Sequence, residues 1–211
     1  MDSLTGLHKG TDEPMIIGLS GQKQSGKDTV AAYLVKEHGF ERKAFADPLK
    51  QSVAALLGIP FSDVDRLKDS NRLVGVGPIG EPEYEQWIIY AGIKALTFRE
   101  FLQRYGTEAH RDVFGQDFWL DYTLPVQGFY PGRAIVVTDV RFANEANRVR
   151  ELGGMVVKVH RNGDPYEQDQ HRSEVIDFDW DYLIENDGTF SDLYSNVEDM
   201  LCHMIDRVES V

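Results

Sequence analysis

A chain of 211 residues, 42% hydrophobic and 11% aromatic, suits one domain with small insertions and can bury a full core without a metal or disulfide staple. Its single cysteine, Cys202, excludes an intramolecular disulfide and fits a reducing cytoplasm. Asp and Glu number 35 against 22 Lys and Arg, a net charge of −13, and a field of that sign repels nucleic-acid backbones and anionic lipid, so neither a nucleic-acid polymer nor a membrane is an expected partner.

Residues 1–14 are polar, contain Gly6, Gly10 and Pro14, and read as a flexible leader to a single domain over 15–211. Met15 to Ser20 is a continuous apolar run, the pattern of a strand buried on both faces. A glycine-rich turn over 21–26 leads into a helical stripe of Val30, Ala31, Leu34 and Val35 that ends near Gly39. Residues 41–45 form a weak strand candidate. Asp47 and Pro48 read as N-cap and first helical position, with Leu49, Val53, Leu56 and Leu57 as the apolar stripe. A short polar helix is expected over 62–69. The stretch 71–82, punctuated by Gly75, Gly77, Pro78 and Gly80, reads as a mobile loop. Trp87 and Tyr90 read as packing residues.

Thr97-Phe98-Arg99-Glu100 is a capping box for a helix carrying Phe98, Phe101, Leu102 and Tyr105, with Gly106 as its stop. Another helix is expected over 116–122 and a loop over 125–132. Residues 134–138 form a second buried strand, closed by Asp139. Phe142, Ala146, Val149 and Leu152 repeat at helical spacing up to Gly153. A third strand over 155–160, a charged segment over 161–177, a fourth strand over 182–184 and a turn at Asn186-Asp187-Gly188 follow. Leu193, Val197, Met200, Leu201, Met204, Ile205 and Val208 stripe the last helix, on which Cys202 is expected to be inert. Strands alternating with helices predict an α/β fold, a parallel sheet with helices on both faces.

Gly21-Gln22-Lys23-Gln24-Ser25-Gly26-Lys27 has the spacing of a phosphate loop. Its glycines allow backbone N–H groups to turn inward as an anion nest, the next helix aims its dipole at the same point, and Lys27 can reach β- and γ-phosphates. The usual hydroxyl after the lysine is replaced by Asp28, with Thr29 next; Mg²⁺ accepts an oxygen from either. Asp139, at a strand end, can hold a Mg²⁺-bound water or contact substrate, and can also cap the helix that follows; both can hold at once. Arg141 can contact phosphate or pair with Glu145. Arg104, Arg111, Arg161 and Arg172 are further cations able to converge on a transferring phosphoryl group, with Arg161 and Arg172 flanking the charged segment. His160 and His171 lack metal-ligand spacing and read as polar surface groups.

Ser25-Gly26-Lys27-Asp28-Thr29 followed by Phe45-Ala46-Asp47-Pro48-Leu49-Lys50 resembles the phage-type deoxynucleoside monophosphate kinases. So do Leu102-Gln103 with Gly106-Thr107-Glu108 and Trp119 downstream, then Thr138-Asp139-Val140-Arg141 with Asn144-Glu145, then His171 with Ser173-Glu174, then Asn186-Asp187-Gly188-Thr189. The resemblance implies a P-loop kinase-like three-layer fold with an NMP-binding insertion at about 47–122 and a lid at about 161–177. It implies ATP as donor, Mg²⁺ as cofactor, and a deoxynucleoside monophosphate as acceptor, giving dNDP and ADP. It implies that Gly21, Lys23, Ser25, Gly26, Lys27, Asp28 and Thr29 hold the donor, with Asn186 and Gly188 near the adenine. It implies acceptor contacts from Asp47, Lys50, Gln103, Arg104, Thr107, Glu108, Arg111, Asp139, Arg141 and Glu145, catalytic roles for Lys27, Arg141, Arg161 and Arg172, and metal contacts from Thr29, Asp28 or Asp139. Base preference and a homodimer are left open. The animal-type phosphomevalonate kinases share a similar Ser-Gly-Lys-Asp loop, and a dephospho-coenzyme A-like acceptor is a further alternative. A non-catalytic guanine switch would carry an Asn-Lys-x-Asp element that this sequence lacks.

Overall fold

The computed structural model describes residues 14–70, 72–74, 95–126, 132–162 and 178–209. The chain divides into two compact units, one formed by Met1–Phe45 with Leu124–Val211 and the other by Ala46–Thr123. Residues 1–13 of the expected leader over 1–14, residues 71 and 75–82 of the expected loop, Trp87, Tyr90 and the whole of 163–177, Arg172 and His171 included, lie outside the described residues.

The first unit is built on five strands: β1 (Met15–Ser20), β2 (Glu41–Lys43), β5 (Ala134–Val137), β6 (Met155–His160) and β7 (Tyr182–Glu185). Their order is β2-β5-β1-β6-β7, and all four pairings are parallel, with Met15 opposite Ala134, Ile17 opposite Met155, Glu41 opposite Ile135 and Val157 opposite Tyr182. β1 lies at the centre, which is why its sequence is apolar without alternation: Ile16, Ile17 and Leu19 are all fully buried. Ile17 and Leu19 pack with Val30, Ala31 and Leu34 of α1 (Lys27–His38) and with Leu193, Val197, Met200 and Met204 of the long C-terminal helix Phe190–Glu209. Gly18, on the opposite side of β1, faces Val149 of the helix Ala143–Glu151 at a distance a side chain could not share. Helices therefore cover both faces, giving the expected three layers. Each fully buried aliphatic side chain of this kind contributes about 1.5–3 kcal/mol.

Because the sheet is parallel, every strand ends at the same edge. The loop 21–26 after β1 is flanked there by the connections after β5, carrying Asp139 and Arg141, and after β6, carrying Arg161. The connection after β7, carrying Asn186, lies beyond β6.

The second unit holds α2 (Asp47–Leu57), α3 (Asp63–Lys68), an antiparallel pair of β3 (Leu73–Val74) and β4 (Leu96–Thr97), α4 (Phe98–Gly106), a π-helical turn Thr107–Arg111, and the short helices α5 (Asp112–Phe114) and α6 (Phe118–Thr123). Val53, Ala54, Val64, Leu67, Val74, Phe98 and Leu102 make its core. In chain order, the remaining helices are α7 (Ala143–Glu151) and α8 (Phe190–Glu209).

Several local expectations are corrected. Val35, Leu56 and Phe142 are exposed, because each stripe is narrower than its apolar residues suggest. Ala46 and not Asp47 stands at the N-cap of α2; Asp47 is already its first helical residue. Leu73 and Val74 are strand within the stretch read as loop, drawn in by pairing with Leu96 and Thr97, a partner too distant in sequence to be seen locally. α4 does end at Gly106, but not by a left-handed turn: the φ of −71° is helical, and the chain runs on into the π turn. The capping box at Thr97 stands as read, with Glu100 N–H donating to Thr97 Oγ1 and Thr97 N–H donating to Glu100 Oε2.

A candidate phosphate-binding site at the strand ends

The loop leaves β1 at Ser20 and enters α1 through Gly26, whose φ of 106° lies in the left-handed region. That conformation turns the chain sharply enough for α1 to begin at Lys27 with its N-terminus directed at the loop. Lys27 folds back over the turn: its ammonium donates to Gly21 O at 2.7 Å, to Gln22 O, and more weakly to Ser25 Oγ at 3.4 Å. Ser25 is buried, Lys27 and Thr29 half-buried, and Lys23 and Asp28 exposed. The loop thus gathers Gly21, Ser25, Gly26 and Lys27 around one turn, with Thr29 one place into the helix.

Asp139 is half-buried, and its Oδ1 accepts the Phe45 N–H at 2.7 Å. It is not the cap of α7. Glu145 has that role: its buried carboxylate accepts the N–H groups of Arg141 at 2.7 Å and Phe142 at 3.1 Å through one oxygen. This replaces the surface Arg141–Glu145 ion pair considered from sequence. The carboxylate binds the backbone of Arg141 and leaves the guanidinium exposed at the strand edge. Arg161 is likewise exposed, at the end of β6.

Asn186, expected near the adenine, lies in the connection after β7. Its side-chain amide donates to Ser25 O at 2.8 Å, reaching the phosphate loop itself. Gly188 is exposed in the turn after β7. Asp192 closes that turn, and its carboxyl is held below its ordinary value by the Thr189 N–H first and then the Thr189 hydroxyl.

The remaining acceptor candidates belong to the second unit. Lys50 pairs with Asp65 at 2.9 Å. Gln103 and Arg104 are exposed near the end of α4, and Arg104 approaches Glu108 at 3.8 Å. Thr107, Glu108 and Arg111 lie on the π turn, a geometry that is rare and concentrated at functional sites. The turn has a visible cause. Gly106 is buried so closely against Leu49 and Trp119 that a Cβ would meet Leu49 at 3.0 Å, and Trp119 Nε1–H donates to Gly106 O at 3.0 Å. That carbonyl is thereby bound by a side chain. His110 adds a second anchor, with Nδ1 2.6 Å from Tyr105 O and its ring against Tyr105 and Trp119. Sequence reasoning missed His110; its only local signal is a histidine five residues after Tyr105.

Among the described residues, no group of three or more His, Cys, Asp or Glu side chains could hold an ion alone. Mg²⁺ in kinases takes one or two protein oxygens and completes its shell with phosphate and water. Thr29, Asp28 and Asp139 carry oxygens of the kind such a shared site uses. Among the described residues, no helix is long and apolar enough to cross a membrane.

Comparison with known proteins gives a consistent relationship. The deoxynucleotide monophosphate kinase family profile matches residues 15–77 and 79–197. A protein of Acanthamoeba polyphaga mimivirus named for that family is 32% identical over 193 residues, covering 87% of this chain and 94% of its own. The deoxynucleotide monophosphate kinase of Enterobacteria phage T4 is 24% identical over 239 residues, covering 88% of this chain and 98% of its own. Among solved structures, a dephospho-CoA kinase from Campylobacter jejuni aligns over 90% of this chain and 96% of that one, with 12% identity and a TM-score of 0.43, a distant likeness only. The phosphate loop, the strand-end aspartate and the π-turn segment all lie within the matched residues, and the chain belongs to the deoxynucleotide monophosphate kinase family.

Proposed function

We propose that this protein transfers the γ-phosphoryl group of ATP to a deoxynucleoside monophosphate, yielding ADP and the diphosphate. The observation that carries the reading is the loop 21–26 after the central strand, with Lys27 folded over it, in a chain of this family. Lys27 binds neutral carbonyl oxygens here. Engaging a phosphate exchanges these for charged acceptors, which form stronger hydrogen bonds. Loop N–H groups and the α1 N-terminus supply fixed positive potential toward the same anion.

Arg141 and Arg161 project from the connections on either side of the loop, and we assign them to the charge that develops on the transferring group, together with Arg172. Asp47, Lys50, Gln103, Arg104, Thr107, Glu108 and Arg111 are assigned to the acceptor. Thr29 is assigned to the metal in preference to the more exposed Asp28, with Asp139 nearby in the sheet order. Mg²⁺, when bound with the nucleotide, would neutralise β- and γ-phosphate charge. No covalent intermediate on the protein is needed; orientation and charge stabilisation carry the rate.

The test is ADP release in the presence of ATP and Mg²⁺ with each common deoxynucleoside monophosphate, and with phosphomevalonate and dephospho-coenzyme A as rival acceptors. Stimulation by at least one dNMP is expected. Stimulation by a rival alone would replace the acceptor assignment.

A further inference from the structure

We infer that Asn186 is a positioning residue of the phosphate loop: it fixes the direction of the Gly26 N–H by holding the Ser25 carbonyl. This rests on the reading of loop 21–26 as a phosphate site and deepens it. The Ser25 carbonyl and the Gly26 N–H belong to one peptide unit, which is planar and trans, so they point in opposite directions. Asn186 Nδ2 donates to Ser25 O at 2.8 Å. Whatever holds that oxygen on the Asn186 side aims the Gly26 N–H to the other side. Without the bond, the peptide is free to rotate and bring a carbonyl oxygen toward the anion it should attract.

Gly26 is well placed to flip. Its φ is 106°, and glycine crosses between backbone basins at little steric cost. The same absence of a side chain lets Asn186 approach: a Cβ on Gly26 would lie 2.4 Å from Asn186 Nδ2. The glycine that gives the loop its freedom is thus the residue against which the bracing amide rests.

Asn186 is itself held on several sides. Its N–H donates to His160 O at 2.8 Å, continuing the β6–β7 pairing. The preceding carbonyl, of Glu185, accepts from Asn196 Nδ2 at 2.9 Å. The following side chain, Asp187, accepts the Asn162 N–H at 2.7 Å and the Asn162 side-chain amide. An amide delivered from so fixed a support can orient a glycine-rich turn, whereas one on a loose loop would follow it. Asn162 directly follows Arg161, so the turn that braces the loop also anchors the connection carrying that arginine.

The experiment is calorimetric titration of the full-length protein with ADP and, separately, with inorganic pyrophosphate, for the parent, Asn186→Ala and the equal-sized Asn186→Asp. Thermal melts and hydrogen exchange across residues 21–30 accompany it. Loss of one such hydrogen bond should cost about two- to tenfold in affinity. Both ligands should weaken by the same factor in Asn186→Ala and further in Asn186→Asp, which sets two oxygens face to face. Exchange within 21–26 should quicken while the rest of the sheet keeps its protection. Weakening of ADP with pyrophosphate unchanged would overturn the inference, because Asn186 would then be meeting the nucleoside. Unchanged affinity for both ligands in both variants would overturn it as well. A parent that binds neither ligand would overturn both this inference and the phosphate site beneath it. The acceptor assignment stands or falls separately, on dNMP-stimulated turnover in the parent.

Discussion

Removing the Glu145 carboxylate separates a structural from a substrate-binding role for that residue. Glu145 is 5% exposed, and one oxygen accepts two backbone N–H groups, from Arg141 at 2.7 Å and Phe142 at 3.1 Å. Hydrogen bonds to a charged group contribute about 1.5–3 kcal/mol each, and loss of a helix cap typically costs about 1 kcal/mol. The two bonds share an acceptor, so the total for Glu145→Ala is about 3 kcal/mol rather than the full sum. For a chain of this size, about 2–4 °C of melting temperature accompanies each kcal/mol, so a fall of about 6–12 °C is expected. Glu145→Gln retains an acceptor oxygen and should recover at least half of the loss. Because Arg141 N–H is one of the two donors, Glu145→Ala should also lower kcat through misplaced Arg141, whereas acceptor KM should change little. Differential scanning fluorimetry, urea unfolding and steady-state kinetics read these effects. An unchanged melting temperature with a raised acceptor KM would refute the capping argument and return Glu145 to the substrate.

Lys27→Ala should lower kcat/KM by about 100-fold or more, the effect of losing one preorganised contact to developing phosphoryl charge, while leaving the melting temperature close to the parent's; retained turnover would remove the kinase assignment. Trp119→Phe strips the donor from the buried Gly106 carbonyl 3.0 Å away and should cost about 1–3 kcal/mol in urea unfolding, with acceptor KM rising as the π turn relaxes; an unchanged KM would detach the turn from acceptor binding. Tyr33 donates to Glu198 Oε1 at 2.6 Å, and that hydrogen bond, followed by burial, pushes its phenol up to about 12. A pKa raised on folding adds stability that is complete below the ordinary phenol value of about 10 and is lost as pH climbs through the folded value. Urea midpoints should therefore fall between pH 10 and 12 more steeply for the parent than for Tyr33→Phe; parallel curves would show that the hydrogen bond is not formed. Tyr182 is also raised, chiefly by burial, but it is present in both proteins and drops out of the difference.

The sequence by itself determined the elements whose signals are local. The apolar run of β1, the glycines of the turn and the stripe of α1 lie within about two dozen consecutive residues, and together they specify strand, phosphate loop and helix. The Thr97 box and the stripe of the last helix were equally legible, because capping and amphipathicity depend on neighbours three or four places away. Tertiary structure decided what depends on partners distant in the chain. Strand order brings the connection after β5 and the connection after β6 to either side of the loop, and no spacing in the sequence encodes that order. The assignment of Glu145 to a backbone cap and of Asp139 to the Phe45 N–H followed from burial and from which unpaired N–H groups lay within reach. Asn186 shows the difference most directly: its motif marked it as belonging near the nucleotide, but its hydrogen bond spans 161 positions of sequence, and only the pairing of β7 with β6, which in turn pairs with β1, could direct that amide to the Ser25 carbonyl.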